Sequence, residues 1–353
     1  MLHLAVDRGE NPRFRELVLQ EFARVKNVVS HAGLCSVLPD AIAVHEHFAA
    51  AHGGGNAKDY DARNGENVLS GDENAWKKLF ASANAGPQNG HELADFQALL
   101  DLPAFIDFMI LNHYGANNDW DHASNWYAAR RRQPASPFLF LVWDGERTLE
   151  SVEANTLSFD DDFSPPRLFH KLPESPEFRV AFGDRVHRHL SGRGALAPET
   201  AAQRFRVLSQ LLDSAIVAES ARWGDYRRDV HRYKVEPYEL YTRDDHWRPE
   251  IHRLLTDYFP RRTAVLLKQF QEAELYPRLE APVSRSQSGH IVLSAPSGAI
   301  YFTEDGTDPR LPGGALSAKA QRYQEALAAG GQWRARARLE ENGHVTWSAL
   351  VQP

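Results

Sequence analysis

Apolar residues recur along this chain with two periods, and the period changes once. Up to Tyr276-Pro277 the spacing is mostly helical; from Pro282 it alternates as in short strands. Residues 12–29 predict a helix opened by Pro12, with Phe14, Leu17, Val18, Phe22 and Val25 at helical spacing. Residues 71–84 and 91–100 read as shorter helical pieces, separated by a break over Pro87–Gly90. Asp101 caps a clearer helix, with Pro103 just inside it. Phe105, Phe108, Met109 and His113 form the inner face of that helix, and Gly115 ends it. Residues 167–235 are helical again: one helix opens at Arg167, a second covers Pro176 to His189, and Pro198 opens a long third. In the third, Phe205, Leu208, Leu212, Ile216 and Glu219 keep helical spacing, and Glu219 can pair with Arg222 on the surface. Trp247 to Tyr258 and Pro260 to Gln271 predict two helices broken at Pro260, with Arg261 and Arg262 solvated near the second start.

Between the helical blocks lies residues 112–150, where aromatic-apolar pieces alternate with clusters of Asn, Asp and Gly. Asp119 sits in a loop-like run; Trp126 and Tyr127 open a strand, residues 130–137 turn, and Phe138 to Val142 form a second strand ended by Asp144-Gly145. Such a hairpin brings Asp144 back towards Asp119 and Asn125. Two carboxylates and one amide oxygen are hard ligands of the kind that suits Mg²⁺. On residue type alone, turn and cap chemistry outweighs a metal site, since Asp and Asn serve those roles more often.

The 353 residues suggest two domains, and 42% hydrophobic with 10% aromatic residues supports an ordinary core. A net charge of −7, from 40 basic and 47 acidic residues, excludes a strongly basic nucleic-acid surface. The single cysteine, Cys35, excludes an intramolecular disulfide and any multi-cysteine zinc site, and reads as a small buried apolar residue. No run approaches the length of a membrane span, and the first residues lack a signal-peptide core, so a soluble chain without an export signal is expected. His45, His47 and His52 lack zinc-protease spacing and read as surface or capping residues. His113 reads as packed rather than catalytic. Residues 150–166, with Asp160, Asp161 and Asp162, read as a solvated loop long enough to act as a mobile lid.

Taken together, Asn117-Asn118-Asp119-Trp120, then Asn125-Trp126-Tyr127, then a strand ending in Trp143-Asp144, resemble the spore-coat protein H (CotH) kinase family. The run Ala218 to Asp225 is similar to that family too, and the resemblance spans roughly residues 45–277. It implies an α+β, atypical protein-kinase-like domain over residues 1–278, mostly helical with a central β-hairpin. It further implies phosphoryl transfer from ATP to a protein hydroxyl with Mg²⁺ as cofactor. Matched position by position, Asp119 takes the base role, and Asn125 and Asp144 the Mg²⁺-ligand roles. Asn125 lies six positions after Asp119, further than in the ordinary kinase loop, which leaves Asp121 as a rival. Glu146, beside Asp144, is a further candidate for the metal shell. The family keeps a nucleotide-contacting basic residue in an amino-terminal lobe. Here Lys26 falls on the first helix, Lys58 in a turn, and Lys77 and Lys78 in a helical piece, so that front lobe is expected to be missing or degraded.

From Pro282 the strands His290 to Leu293, Ala299 to Thr303, Trp333 to Leu339 and Val345 to Val351 are expected. The wording from Ser294 to Arg310 resembles the chitobiase/β-hexosaminidase C-terminal domain, which implies a small immunoglobulin-like β-sandwich over residues 282–353. That module is expected to contact carbohydrate or a cell surface, without catalysis. Family context implies a bacterial spore coat, envelope or extracellular setting, with an unidentified protein of that setting as substrate. Three functions stay open: a protein kinase, a kinase-like scaffold without catalysis, and a metal-dependent hydrolase using the same carboxylates.

Overall fold

A computed structural model describes residues 54–86, 93–120, 125–230 and 239–353. The helix expected over 12–29, Cys35, the histidines His45, His47 and His52, the Pro87–Gly90 break and Asp121 lie outside the described residues. Helices and antiparallel sheets combine in an α+β organisation. The chain divides into two compact units: one runs up to Leu172 and resumes over Pro198–Val265, and the other comprises Pro173–Ala197 with Leu266–Pro353.

In the first unit, β1 (Tyr60–Asn64), β2 (Asn67–Ser70), β3 (Trp126–Arg131) and β4 (Leu139–Val142) form one antiparallel sheet of order β2-β1-β3-β4. The β3–β4 hairpin is the expected one, with Trp126 opposite Val142 and Ala129 opposite Leu139. The β1–β2 hairpin is not among the expected elements. Its signal is Gly65, the first of the two turn residues Gly65-Glu66, at a left-handed φ of 53°. The strands themselves are short and polar, so no alternation announces them. Lys58, expected in a turn, lies in a short 3-10 helix over Ala57–Asp59. The basic residue on β1 is Arg63, whose guanidinium lies 4.3 Å from the centroid of the Trp76 ring.

Three helices precede β3: α1 (Asn74–Ala85), α2 (Leu93–Gln97) and α3 (Leu102–Gly115). The Asp101 carboxylate caps α3, accepting from the Ala104 amide at 3.2 Å, and Ala116 ends it in the left-handed region. The expectation of one inner face is corrected, because α3 is buried almost all round. Phe105 and Phe108 meet Phe140 of β4 at 5.3 and 5.7 Å between ring centroids, while Tyr114 meets Tyr258 elsewhere. A helix packed on several sides needs no polar stripe. The aromatic core continues through Trp76, stacked on Trp126 at 5.6 Å and edge-on to Phe138 at 5.3 Å.

The later helices of this unit are α4 (Pro165–Lys171), then α6 (Pro198–Leu212), α7 (Ala215–Trp223), α8 (Arg248–Arg253) and the first half of α9 (Phe259–Glu272), whose residues from Leu266 on belong to the second unit together with α5 (Pro176–Leu190). The expected long third helix is two helices, interrupted at Asp213-Ser214. Asp213 turns out to hold Arg248 at 2.9 Å and Arg243 at 3.3 Å. The expected Glu219–Arg222 pair is absent; Arg222 lies over the Trp223 ring at 5.0 Å. The expected break at Pro260 is also corrected. A π-helical turn over Leu254–Tyr258 widens the backbone there, the Phe259 amide bonds to Leu254, and the helix runs on through the proline.

In the second unit, the strands are β5 (Val283–Gln287), β6 (His290–Ser294), β7 (Ala299–Thr303), β8 (Gln321–Arg322), β9 (Leu327–Ala328), β10 (Arg334–Glu341) and β11 (His344–Trp347). They make two antiparallel sheets, β11-β10-β7-β8 and β5-β6-β9, around Leu293, Ile300, Phe302, Leu327, Trp333 and Ala335. Helix α5 is fastened to this body by ion pairs: Asp184 binds Arg336 and Glu177 binds Arg310 at 2.7 Å. Among the described residues no helix is long and apolar enough to cross a membrane.

Candidate functional site

Two loops carry the candidate residues, and backbone hydrogen bonds zip them together. The first, from Gly115 to Asp119, leaves the end of α3. The second, from Trp143 to Glu150, leaves the end of β4. The Leu149 amide donates to the Gly115 carbonyl at 2.7 Å, and the Asn118 amide donates to the Arg147 carbonyl at 3.2 Å. The Trp143 amide donates to the Asn125 carbonyl at 3.3 Å, so the start of β3 joins the same cluster. Side chains tighten the first loop. Asn117 Oδ1 accepts from the Asp119 amide at 3.2 Å, and Asn117 Nδ2 donates to Asn112 at 3.0 Å. Asn125 Nδ2 donates to the Asp119 carbonyl, which fixes the amide beside the candidate base.

Charge gathers where the loops meet. Asp144 and Glu146 are half-buried, as is Asp119. Burial pushes the Glu146 carboxyl up to about 7, and its hydrogen bond with Asp144 and the negative fields of Asp144 and Asp119 push the same way. Glu146 Oε2 is buried without a hydrogen-bond partner. Arg147 faces this cluster: its guanidinium is held by Glu150 at 2.6 Å, and its charge is favoured by Glu150 first and then by Asp119 and Glu146. Asn118 Nδ2 completes the mouth with a 3.2 Å bond to Glu150.

The expected candidates Asp119, Asn125, Asp144 and Glu146 therefore fall on adjoining loops, while Asp121 lies outside the described residues. Among the described residues, no three His, Cys, Asp or Glu side chains stand in a metal-holding arrangement. The donor set still fits a divalent cation in kind. It combines crowded carboxylates, an oxygen lacking a partner and a raised Glu146, all of which a cation would relieve.

Other candidates resolve differently. His113 is buried, bonded through Nδ1 to Thr156 at 2.8 Å, and burial holds its pKa down near 3, as expected for a packed histidine. Asp160 and Asp162 pair with Arg167 at 2.7 and 3.0 Å. The lid expected over 150–166 is corrected in its first half: Val152 and Thr156 are buried, and the Val152 and Ala154 carbonyls bind Arg262. Arg262 itself, expected in solvent, is wholly buried. Its signal is the stripe Leu254, Tyr258, Arg262, Leu266 and Phe270 at spacings of four, all buried.

A family model described as CotH kinase protein matches residues 39–266, the part of the chain that contains both loops. No curated protein and no solved structure matches the chain.

Proposed function

The chain belongs to the CotH kinase family, a family of kinase-like phosphotransferases, and we propose that it transfers the terminal phosphoryl group of ATP to a protein hydroxyl. What supports this reading is that Asp119, Asp144 and Glu146 lie on two loops joined by backbone hydrogen bonds, with Glu146 feeling the charge of the other two. Gathering like charges costs stability, and a scaffold has no use for it. Asp144 and the Asn125 amide oxygen would hold Mg²⁺, and Asp119 would steer the acceptor. Bound there, Mg²⁺ supplies neutralisation of the phosphate charge. Asp119 orients the acceptor hydroxyl and takes its proton as the new oxygen–phosphorus bond forms and the bond to the ADP oxygen breaks. Arg147, at the mouth, offers positive charge to the phosphates once Glu150 lets go.

A second reading, a kinase-like scaffold, is favoured by one observation: no three-residue metal arrangement is formed among the described residues. The two are separated by assay with γ-labelled ATP, Mg²⁺ and a pool of hydroxyl-bearing peptides. The kinase reading expects label transfer that falls by about 10² to 10⁴ in Asp119→Asn, the range for loss of a general base. Transfer that is absent from the folded wild type, or equal in the variant, supports the scaffold. The substrate is proposed to be a spore-coat or envelope protein, and the carboxy-terminal sheets to form an immunoglobulin-like module contacting carbohydrate or a surface.

A further inference from the structure

Arg262 is 0% exposed, and among the described residues none of its hydrogen bonds goes to a carboxylate. Every one goes to a backbone carbonyl. Nε donates to Tyr114 at 3.0 Å, Nη1 to Val152 at 2.7 Å and Ala154 at 2.9 Å, and Nη2 to His113. His113 and Tyr114 are the last turn of α3, directly before the Asp119 loop. Val152 and Ala154 directly follow the Asp144–Glu150 loop. One planar guanidinium therefore gauges the gap between the two strands of backbone that carry the acidic cluster. Two neighbours on the same helical face add to it: the Tyr258 hydroxyl donates to the Tyr114 carbonyl at 2.7 Å, and Arg253 Nη2 to the Leu149 carbonyl at 2.7 Å.

The loops themselves need such support. Ala116, Asp144 and Leu149 hold φ of 49°, 53° and 63°, a left-handed region that side chains with a Cβ rarely adopt. Such residues persist where surrounding contacts over-determine them, and they cluster at functional sites. Two of the three follow a carbonyl gripped from this helical face or are gripped there themselves: Ala116 comes after Tyr114, and Leu149 supplies its own carbonyl to Arg253. A lysine would not substitute, because three donors on one point cannot span four carbonyls in a plane.

We infer that Arg262 is the positioning residue of the acidic site, setting the separation of the two loops so that Asp119 and Asp144 meet one ligand. The inference rests on the phosphotransferase reading of that site. Its test uses the full chain with Mn²⁺ as probe, read by the loss of the free-ion resonance signal, together with amide hydrogen exchange. Arg262→Lys is expected to lose protection at the Asn118 and Leu149 amides while the β3–β4 hairpin exchanges as before. Its Mn²⁺ affinity is expected to fall about 10-fold to 100-fold, the range for groups that orient metal ligands. A merely stabilising residue would raise exchange everywhere or nowhere, and that result overturns the inference. So does unchanged Mn²⁺ affinity in Arg262→Lys when Asp144→Ala has abolished binding. Wild-type protein that binds no Mn²⁺ refutes the site reading itself, and the inference falls with it; the wild-type arm alone reads that failure. If Arg262→Lys does not fold, Tyr258→Phe, which removes one bond to the same Tyr114 carbonyl, is judged by the same criteria.

Discussion

Among the described residues the two least exposed arginines are Arg262 and Arg336, and they are held by opposite means. Arg336, 1% exposed in the second unit, is clasped by the carboxylates of Asp184 and Asp308 and by the Ser348 carbonyl at 2.8 Å. Arg262, 0% exposed in the first, is held by carbonyls alone. Burial works against the charge of both. At Arg336 the hydrogen bonds and fields of Asp308 and Asp184 more than offset it and raise the pKa, whereas at Arg262 burial prevails and lowers it. The carboxylate-held arginine fastens α5 to the sheets; the carbonyl-held arginine bonds to no carboxylate and instead fixes where backbone runs. A buried ion pair punishes removal of one partner, because the other stays charged and stranded. Carbonyls left behind remain dipoles, and some keep other donors, as His113 keeps the Ala116 amide at 3.2 Å.

The largest expected effect is therefore at the ion pair. Arg336→Met should cost about 3 to 5 kcal/mol in the unfolding of the second unit, read by denaturant midpoint. Neutralising both acids in the same chain, Asp184→Asn with Asp308→Asn, should recover part of that loss. A cost below about 1 kcal/mol would mean that Arg336 and its two acids do not hold one another as a buried ion pair. Arg262→Met should cost less, about 1 to 3 kcal/mol, and no second-site neutralisation should restore it. Equal rescue at both arginines would erase the distinction drawn between them.

Much of the first unit was legible in advance. The β3–β4 hairpin and α3 followed from a short apolar run, a proline turn and an Asp cap, all local signals. Asp119, Asn125 and Asp144 were placed on adjoining loops by the same hairpin. The rest depended on long-range contacts that no local pattern carries. Arg262 reads as solvated because its partners lie 108 to 149 positions away. Pro260 reads as a break because the π-helical turn that accommodates it is set by packing. The stop at Asp213 goes with its pairing to Arg243 and Arg248, 30 and 35 positions further on. The β1–β2 hairpin did carry a signal, the turn glycine Gly65, but its strands lack alternation.

A more gradual effect comes from pH, and His113 and Glu146 oppose each other in it. His113 is held near 3 in the fold against about 6.5 when unfolded. The unfolded state therefore binds the extra proton, and stability falls as pH drops from about 6.5 towards 3, at up to about 1.4 kcal/mol per pH unit. His187, held near 4 by burial in the second unit, acts in the same direction. Glu146 has the reverse sign. Its folded value of about 7 lies above the unfolded one, so its contribution is lost as pH rises through about 4.5 to 7. Urea midpoints across pH 4 to 8 should steepen with acid in the wild type and flatten in His113→Gln; Glu146→Gln should remove the decline towards neutrality. A Glu146→Gln profile that matches the wild type would mean the acidic cluster is not crowded.

The smallest effect is expected beside Arg262 in sequence. Arg261 pairs with Glu153 at 2.6 Å in solvent. Glu153→Gln should shift stability by under about 1 kcal/mol and lose even that in high salt. Neighbouring arginines with such unlike consequences would show that burial and partner, not residue type, decide their roles.

Asp119, Asn125 and Asp144 are proposed to serve one divalent cation and its nucleotide. Calorimetric titration of Mg-ATP into the full chain and into Asp144→Ala tests it most directly. Saturable heat from the first and none from an equally folded second is the expected result; no heat from the folded wild type, or the same heat from both, would contradict it.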